Sequence, residues 1–307
     1  MKKLASLLLA GAMMLSGSAL AFEATDEITV ISREASSGTR GAFDEMMNIV
    51  VETDEGTEDM LYPEAVLVDS TDAVTSKVEV DAQAIGYTSL GAVTDSVKAL
   101  PVDGVEATVE NVKNGSYALA RPFVLATQTG VEDELAADFI KYVMSTQGQA
   151  IVAERGYVTA TDDTATTADG SEAVAATEYT ASGLTGKITL SGSTSVEKVI
   201  EALKEGYVAL NPDVTIEITY SGSSAGIKDV TEGKVNIGMS SRALKEDELA
   251  TLTQTTFAHD GIAVIVNAEN PITSITSAQI TAIYTGQVRT WDAVETVTDD
   301  ATEETAA

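Results

Sequence analysis

The chain has 307 residues, with 48 acidic against 18 basic side chains and a formal net charge of −30. That balance excludes nucleic acid and anionic membrane surfaces as partners. The absence of cysteine excludes a disulfide scaffold, thiolate metal sites and lipid attachment through a cysteine near the N-terminus.

Lys2 and Lys3 precede a short apolar run, Leu4 to Leu15, and Ala19-Leu20-Ala21 fits a small-x-small cleavage pattern. The run is shorter than the ~20 residues of a spanning helix. Residues 1–21 are therefore expected to be a cleaved export signal, and the protein to be periplasmic or extracellular. The remainder is long enough for two domains of ordinary size.

Periodicity then predicts a strand over Ile28–Ser32, a helix over Gly41–Val51, a helix over Thr71–Val80 and a strand over Ala84–Thr88. Strands follow at Val97–Leu100 and Tyr117–Ala126, and helices at Glu132–Met144 and Gln147–Ala153. From Thr161 to Thr185 the composition collapses to Ala, Thr, Asp and Glu without hydrophobic periodicity, as in a flexible acidic linker. Beyond it come a strand at Ile188–Leu190 and a helix over Val196–Leu210 that ends at Asn211-Pro212. A strand at Val214–Tyr220, a helix at Ile227–Glu232 and a strand at Val235–Met239 follow. The last elements are a helix at Leu244–Leu252, a buried strand at Gly261–Val266 and a helix at Ser277–Tyr284. Glu295 to Ala307 has the character of the linker. Alternation of this kind gives an α/β fold in two compact regions.

Four of these strands break into short Ser/Thr/Gly loops. They are Ser36-Ser37-Gly38-Thr39, Gly192-Ser193-Thr194-Ser195, Gly222-Ser223-Ser224-Ala225-Gly226 and Ser240-Ser241. A helix start offers unpaired N–H groups and a positive dipole end, and small hydroxyl residues let an anion reach them. The net negative charge does not forbid this, because its field is screened beyond roughly 8–10 Å at physiological salt. Taken singly, Ser193, Thr194 and Ser223 read more readily as plain helix caps than as ligand contacts, and Arg33 equally as a surface ion pair with Glu34. His259, the sole histidine, reads as a hinge or surface residue and Trp291 as packing. The carboxylates between 51 and 60 lack calcium-loop spacing. Neither a metal cluster nor a nucleophile–base pair is evident, so no cofactor and no enzymatic turnover are expected.

The strings GKITLSGSTSVEKVIEAL, ITYSGSSAGIKDVTEGKVNIGMSSRALKEDEL, HDGIAVIVNAENPI, ITAIYTGQVRTWDAV, ITVISREASSGTRGAFDE and AIGYTSLGAV together resemble the phosphate-binding proteins of bacterial ABC importers. The resemblance covers most of 27–160 and 186–294. It implies a two-lobed, type II periplasmic-binding-protein-like fold with two crossing strands, mapped onto Gly261–Val266 and Tyr117–Leu125. One lobe would comprise 22–116 with 267–307, the other 117–160 with 186–266, and 161–185 would be the linker. The family order of the two halves is reversed here, which implies a circular permutation.

The resemblance implies inorganic phosphate as ligand, a membrane ABC permease as partner, a monomeric protein and no metal. It carries the ligand contacts onto Arg33, Ser37, Gly38, Thr39, Thr194, Ser195, Ser223 and Ser241. Ser241 stands where many family members carry an aspartate, and Asp260 is a candidate replacement acceptor. Arg40 and Arg242 are expected in ion pairs near the cleft. Another tetrahedral oxyanion, or a scavenger or sensor role uncoupled from transport, remains open on these residues.

Overall fold

The computed structural model describes residues 21–53, 56–161 and 176–297. Residues 1–20 of the expected export signal and most of the expected linker lie outside these. Among the described residues no helix is long and apolar enough to cross a membrane.

The principal sheet has ten strands. Its main path runs Val214–Tyr220, Gly186–Gly192, Ile237–Ser240, Ala120–Gln128, Leu252–Asn267, Ala84–Ser89, Thr29–Arg33 and Val66–Val68. The 16-residue strand Leu252–Asn267 is shared by both lobes. Its first part pairs with Ala120–Gln128 up to Gly261 opposite Ala120, and from Ile262 onward it pairs with Ala84–Ser89. The lobes are thus one continuous ribbon that changes partners at Gly261.

Each lobe has its own core. Ile28, Phe43, Tyr87, Ile262, Val264, Ile283 and Trp291 pack in the first, with Tyr117 and Leu119. Phe123, Phe139, Ile188, Leu190, Leu203, Tyr207 and Phe257 pack in the second. Tyr117, expected in the second lobe, packs in the first core and donates its hydroxyl to the Ile262 carbonyl there.

Most elements lie close to their sequence expectations, and the departures have local causes. The helix expected to reach Val51 spans Gly38–Met46, because Asn48 adopts φ 50° and turns the chain into a Val50–Thr53/Gly56–Asp59 hairpin. The helix expected over Leu244–Leu252 shrinks to Glu246–Leu249, since Leu252 already begins the long strand.

The expected linker is corrected at its downstream end. The Thr177 carbonyl accepts from Thr146 N–H, and Tyr179 is buried against Tyr142 and Tyr207. Asp138 accepts the hydroxyls of Tyr179, Tyr207 and Ser182, pinning this stretch to the second lobe. An aromatic ring with a partner for its hydroxyl gives a polar segment enough buried surface to order.

Both described ends belong to the first lobe. Ile28 N–H donates to the Arg289 carbonyl at 2.7 Å, and Asp292 N–H to the Ala24 carbonyl at 3.0 Å.

Candidate functional site

Arg33 ends the strand Thr29–Arg33 at the lobe junction and is almost wholly buried. Glu34 receives its guanidinium in a two-bond fork, Nε to Oε2 at 3.0 Å and Nη2 to Oε1 at 2.9 Å. The carbonyls of Val68 and Asp69 accept as well. The expected Glu34 ion pair therefore exists, and it leaves Nη1 and Nη2 able to reach the hydroxyls of Thr71 at 3.5 Å and Thr194 at 3.2 Å. Thr194 comes from the other lobe, so the arginine spans the cleft.

Ser37 caps the helix Gly38–Met46, its hydroxyl accepting from Arg40 N–H. This directs Gly38 and Thr39 at the second lobe. A Cβ on Gly38 would lie 2.2 Å from Ser223 Oγ and 2.8 Å from Ser241 Oγ, so only glycine permits this approach. Thr39 Oγ1 meets Ser195 Oγ at 2.7 Å.

On the second lobe, Gly192 holds φ 147°, and a Cβ there would lie 2.1 Å from the Met239 carbonyl oxygen. This backbone contact sets the Ser193–Ser195 loop beside Ser240-Ser241. Ser193 Oγ donates to Ser241 Oγ at 2.9 Å, and Ser223 Oγ lies 3.3 Å from Ser241 Oγ while accepting from Ser241 N–H. Ser223 N-terminates the helix Ser223–Thr231, and Ser224 N–H reaches across to the Ser36 carbonyl.

The structure brings all eight expected residues to one interlobe junction. It adds Thr71, which lies 3.2 Å from both Thr194 Oγ1 and Ser195 Oγ. Its signal was present in the sequence: Asp69-Ser70-Thr71 is a fifth small-hydroxyl turn before a helix, with Ser70 as cap. A cavity of about 110 Å³, lined by Thr71, Thr194, Ser195 and Lys198 among others, opens beside these hydroxyls. A larger cavity of about 960 Å³ lies elsewhere on the second lobe, around Asp133, Lys187 and Asn236. It lacks the convergent hydroxyls.

Asp260 does not take the place of a cleft acceptor. One carboxylate oxygen receives Ser89 Oγ and Leu90 N–H, and the other receives Arg121 Nε and Nη2. Burial pushes its carboxyl above the ordinary value, opposed by the Arg121 guanidinium. Arg121 Nη1 donates onward to the Ser241 carbonyl, so the buried pair stands behind the site. His259 neighbours it on the crossing strand, opposite Pro122 and Val158.

Arg40 lies against Asp44 and Asp59 and donates to the Arg33 carbonyl, and Arg242 pairs with Glu248 at 2.7 Å. Both expected ion pairs are present. Burial, against the pull of Arg40, raises the Asp44 carboxyl to about 6. Trp291 is core packing, its indole N–H donating to the Gln83 carbonyl.

The junction therefore concentrates donors: one buried guanidinium, hydroxyls from both lobes and N–H groups at helix starts. A model described as the PBP superfamily domain matches residues 18–147 and 160–306. Phosphate-binding protein PstS 2 of Streptococcus pneumoniae serotype 4 is 42% identical over 272 residues, 89% of each chain. This chain belongs to the phosphate-binding protein family of the PBP superfamily. Its family relative PstS 2 of Streptococcus agalactiae serotype V is 40% identical over 266 residues, 86% of each chain. The crystal structure of a phosphate ABC transporter, phosphate-binding protein from Streptococcus pneumoniae TIGR4 superposes with a TM-score of 0.69 at 41% identity. That match covers 87% of this chain and 99% of that one. The family fold is the type II periplasmic-binding-protein-like fold described above.

Proposed function

We propose that this protein captures inorganic phosphate between its lobes and delivers it to a membrane ABC permease. The observation that carries the reading is the direct meeting of donors from opposite lobes, Arg33 with Thr194 and Thr39 with Ser195. An oxyanion at that junction would receive charge-assisted hydrogen bonds from Arg33, hydroxyl donors from Thr39, Thr194, Ser195, Ser223 and Ser241, and N–H groups of the Ser37-Gly38-Thr39 turn. The named relatives are phosphate-binding proteins, which supports the ligand. The chemistry is binding and lobe closure about the shared strand, without turnover.

Protein freed of anion by unfolding and refolding should bind phosphate by calorimetry, and Arg33→Gln should weaken it at least 100-fold, as loss of a charge-assisted donor pair implies. No heat from micromolar to millimolar phosphate would overturn the reading. Release of phosphate from a chromogenic ester would instead indicate an enzyme.

A second reading, a broader tetrahedral-oxyanion binder, is favoured by one observation: the carboxylate oxygens of Asp260 are engaged by Arg121, Ser89 and Leu90. A serine hydroxyl at 241 both donates and accepts, so it enforces a protonated ligand less than a carboxylate does. Phosphate should still bind more tightly than sulfate, with a ratio below the roughly 10⁴-fold of sites holding a dedicated partner for the discriminating hydrogen. Equal affinities would make this second reading the better one.

The protein is proposed to be exported after cleavage behind Ala21 and to act as a monomer. The first residue of secreted material should be Phe22, and its mass in solution that of one chain. The order of the halves is proposed to be permuted relative to the arrangement the family resemblance implies. The joining of both described ends on one lobe supports this. The alignment with the pneumococcal relative runs through 89% of both chains, so that relative shares the order.

A further inference from the structure

We infer that Thr71 is an additional anion-binding residue, supplied to the cleft by the start of the Thr71–Val80 helix and set as a hydrogen-bond donor by Arg33. The inference rests on the phosphate-binding reading above and adds a fifth loop to it.

Thr71 Oγ1 lies 3.5 Å from Arg33 Nη1, 3.2 Å from Thr194 Oγ1 and 3.2 Å from Ser195 Oγ. Ser195 Oγ continues to Thr39 Oγ1 at 2.7 Å. The four hydroxyls thus form a run from one lobe to the other, and Thr71 sits between two second-lobe members of it. Each hydroxyl owns one proton and two lone pairs. A guanidinium can only donate, so Arg33 occupies a lone pair on Thr71 and another on Thr194. Their protons, shared here within the run through Thr71–Thr194 and Thr71–Ser195, are what an oxyanion would draw out. In a dry junction such polarised donors are stronger than isolated ones.

The placement has the same local origin as the other loops. Ser70 accepts from Ala73 N–H, which leaves the first N–H groups of this ten-residue helix at its positive end beside the Thr71 hydroxyl. Thr71 is itself buried. The cavity of about 110 Å³ beside it is lined by Ser70, Thr71, Thr194, Ser195 and Lys198, with the carboxylates of Asp72, paired with Lys198, and Glu197 also on its wall. At ~30 Å³ per water it has the volume of three or four waters, the scale of one small oxyanion.

Calorimetric titration of the full chain with phosphate, on wild type, Thr71→Val, Thr71→Ala, Thr71→Ser and Thr75→Val, tests this. Thr71→Val and Thr71→Ala should each weaken phosphate about tenfold or more, the effect of removing a hydrogen bond to a charged ligand. Thr71→Ser, which keeps the hydroxyl, should stay within about threefold. Thr75→Val lies one turn further along the helix, where the Thr75 hydroxyl has no hydrogen-bond partner, and should bind as wild type. A merely structural Thr71 would lower the melting temperature of the phosphate-free protein; a binding Thr71 shrinks the rise that phosphate produces. Wild-type affinity in both Thr71→Val and Thr71→Ala overturns the inference while leaving phosphate binding intact. Absence of binding in the wild type overturns the underlying reading and the inference with it.

Discussion

Thr39 Oγ1 and Ser195 Oγ, 156 positions apart in the chain, meet at 2.7 Å across the cleft. Neither touches the other unless the lobes come together, so the pair belongs to the closed arrangement. Thr39→Val keeps the shape and removes the hydroxyl. Phosphate affinity should fall about tenfold, with the melting temperature of the phosphate-free protein unchanged. Calorimetry and thermal unfolding on the same samples separate the two effects, and undiminished affinity would remove Thr39 from the site.

Gly38 separates closure from folding. It opens the helix Gly38–Met46, where alanine is the better helix former by about 1 kcal/mol. Yet its Cβ would press on Ser223 Oγ and Ser241 Oγ. Gly38→Ala should therefore hold or raise stability without ligand while reducing phosphate affinity at least tenfold, a contact under 3 Å being incompatible with the closed lobes. Loss of both together would point to a folding defect instead. Denaturant unfolding beside calorimetry reads the difference.

Asp44 predicts a specific pH dependence. Burial raises its carboxyl to about 6 in the folded chain, against a reference value of 3.8. Between those values the folded state binds more protons than the unfolded one. The stability from this group is fully present below about pH 4 and lost as pH rises through 6. Asp44→Asn cannot titrate. The stability difference, wild type minus Asp44→Asn, should fall from pH 4 to 6.5 by an amount on the order of 2–3 kcal/mol and then level off. Urea unfolding at several pH values gives the curve, and parallel profiles for the two proteins would contradict the raised carboxyl.

The paired ends allow the order of segments to be tested by rebuilding it. Ile28 and Asp292 are hydrogen-bonded to Arg289 and Ala24 respectively. A short link from 295 to 27, with new ends opened between 162 and 175, should give a folded protein that binds phosphate within about threefold of the original. That stretch has no hydrophobic periodicity and so little apolar surface to bury, and new ends in such a segment are expected to be tolerated. A rearranged chain that folds but no longer binds would show that the present order is needed to assemble the cleft.

Much of this site could be read from the sequence because capping is local. Ser37, Ser193 and Gly222 start helical turns through their own backbone geometry, and the hydroxyls beside them go wherever those turns go. Thr71 is legible in the sequence only as the start of the helix over Thr71–Val80, because its approach to Thr194 and Ser195 is a tertiary contact that no local pattern encodes. The Arg121–Asp260 pair depends on register, Asp260 opposite Arg121 in two strands far apart in sequence, and no local pattern encodes that. Likewise Leu252–Ala258 mixes polar and apolar residues without clean alternation. It is a strand because Ala120–Gln128 supplies its hydrogen bonds, which is a tertiary cause.

The shared location of both described ends has a practical corollary for observing the molecule. Fluorophores placed at the two ends would ride on one rigid lobe and keep a fixed separation whatever the cleft does. One dye near Glu27 and another on the exposed Glu217 of the second lobe would instead straddle the Gly261 changeover. Only such a pair would convert ligand capture into a change in energy transfer.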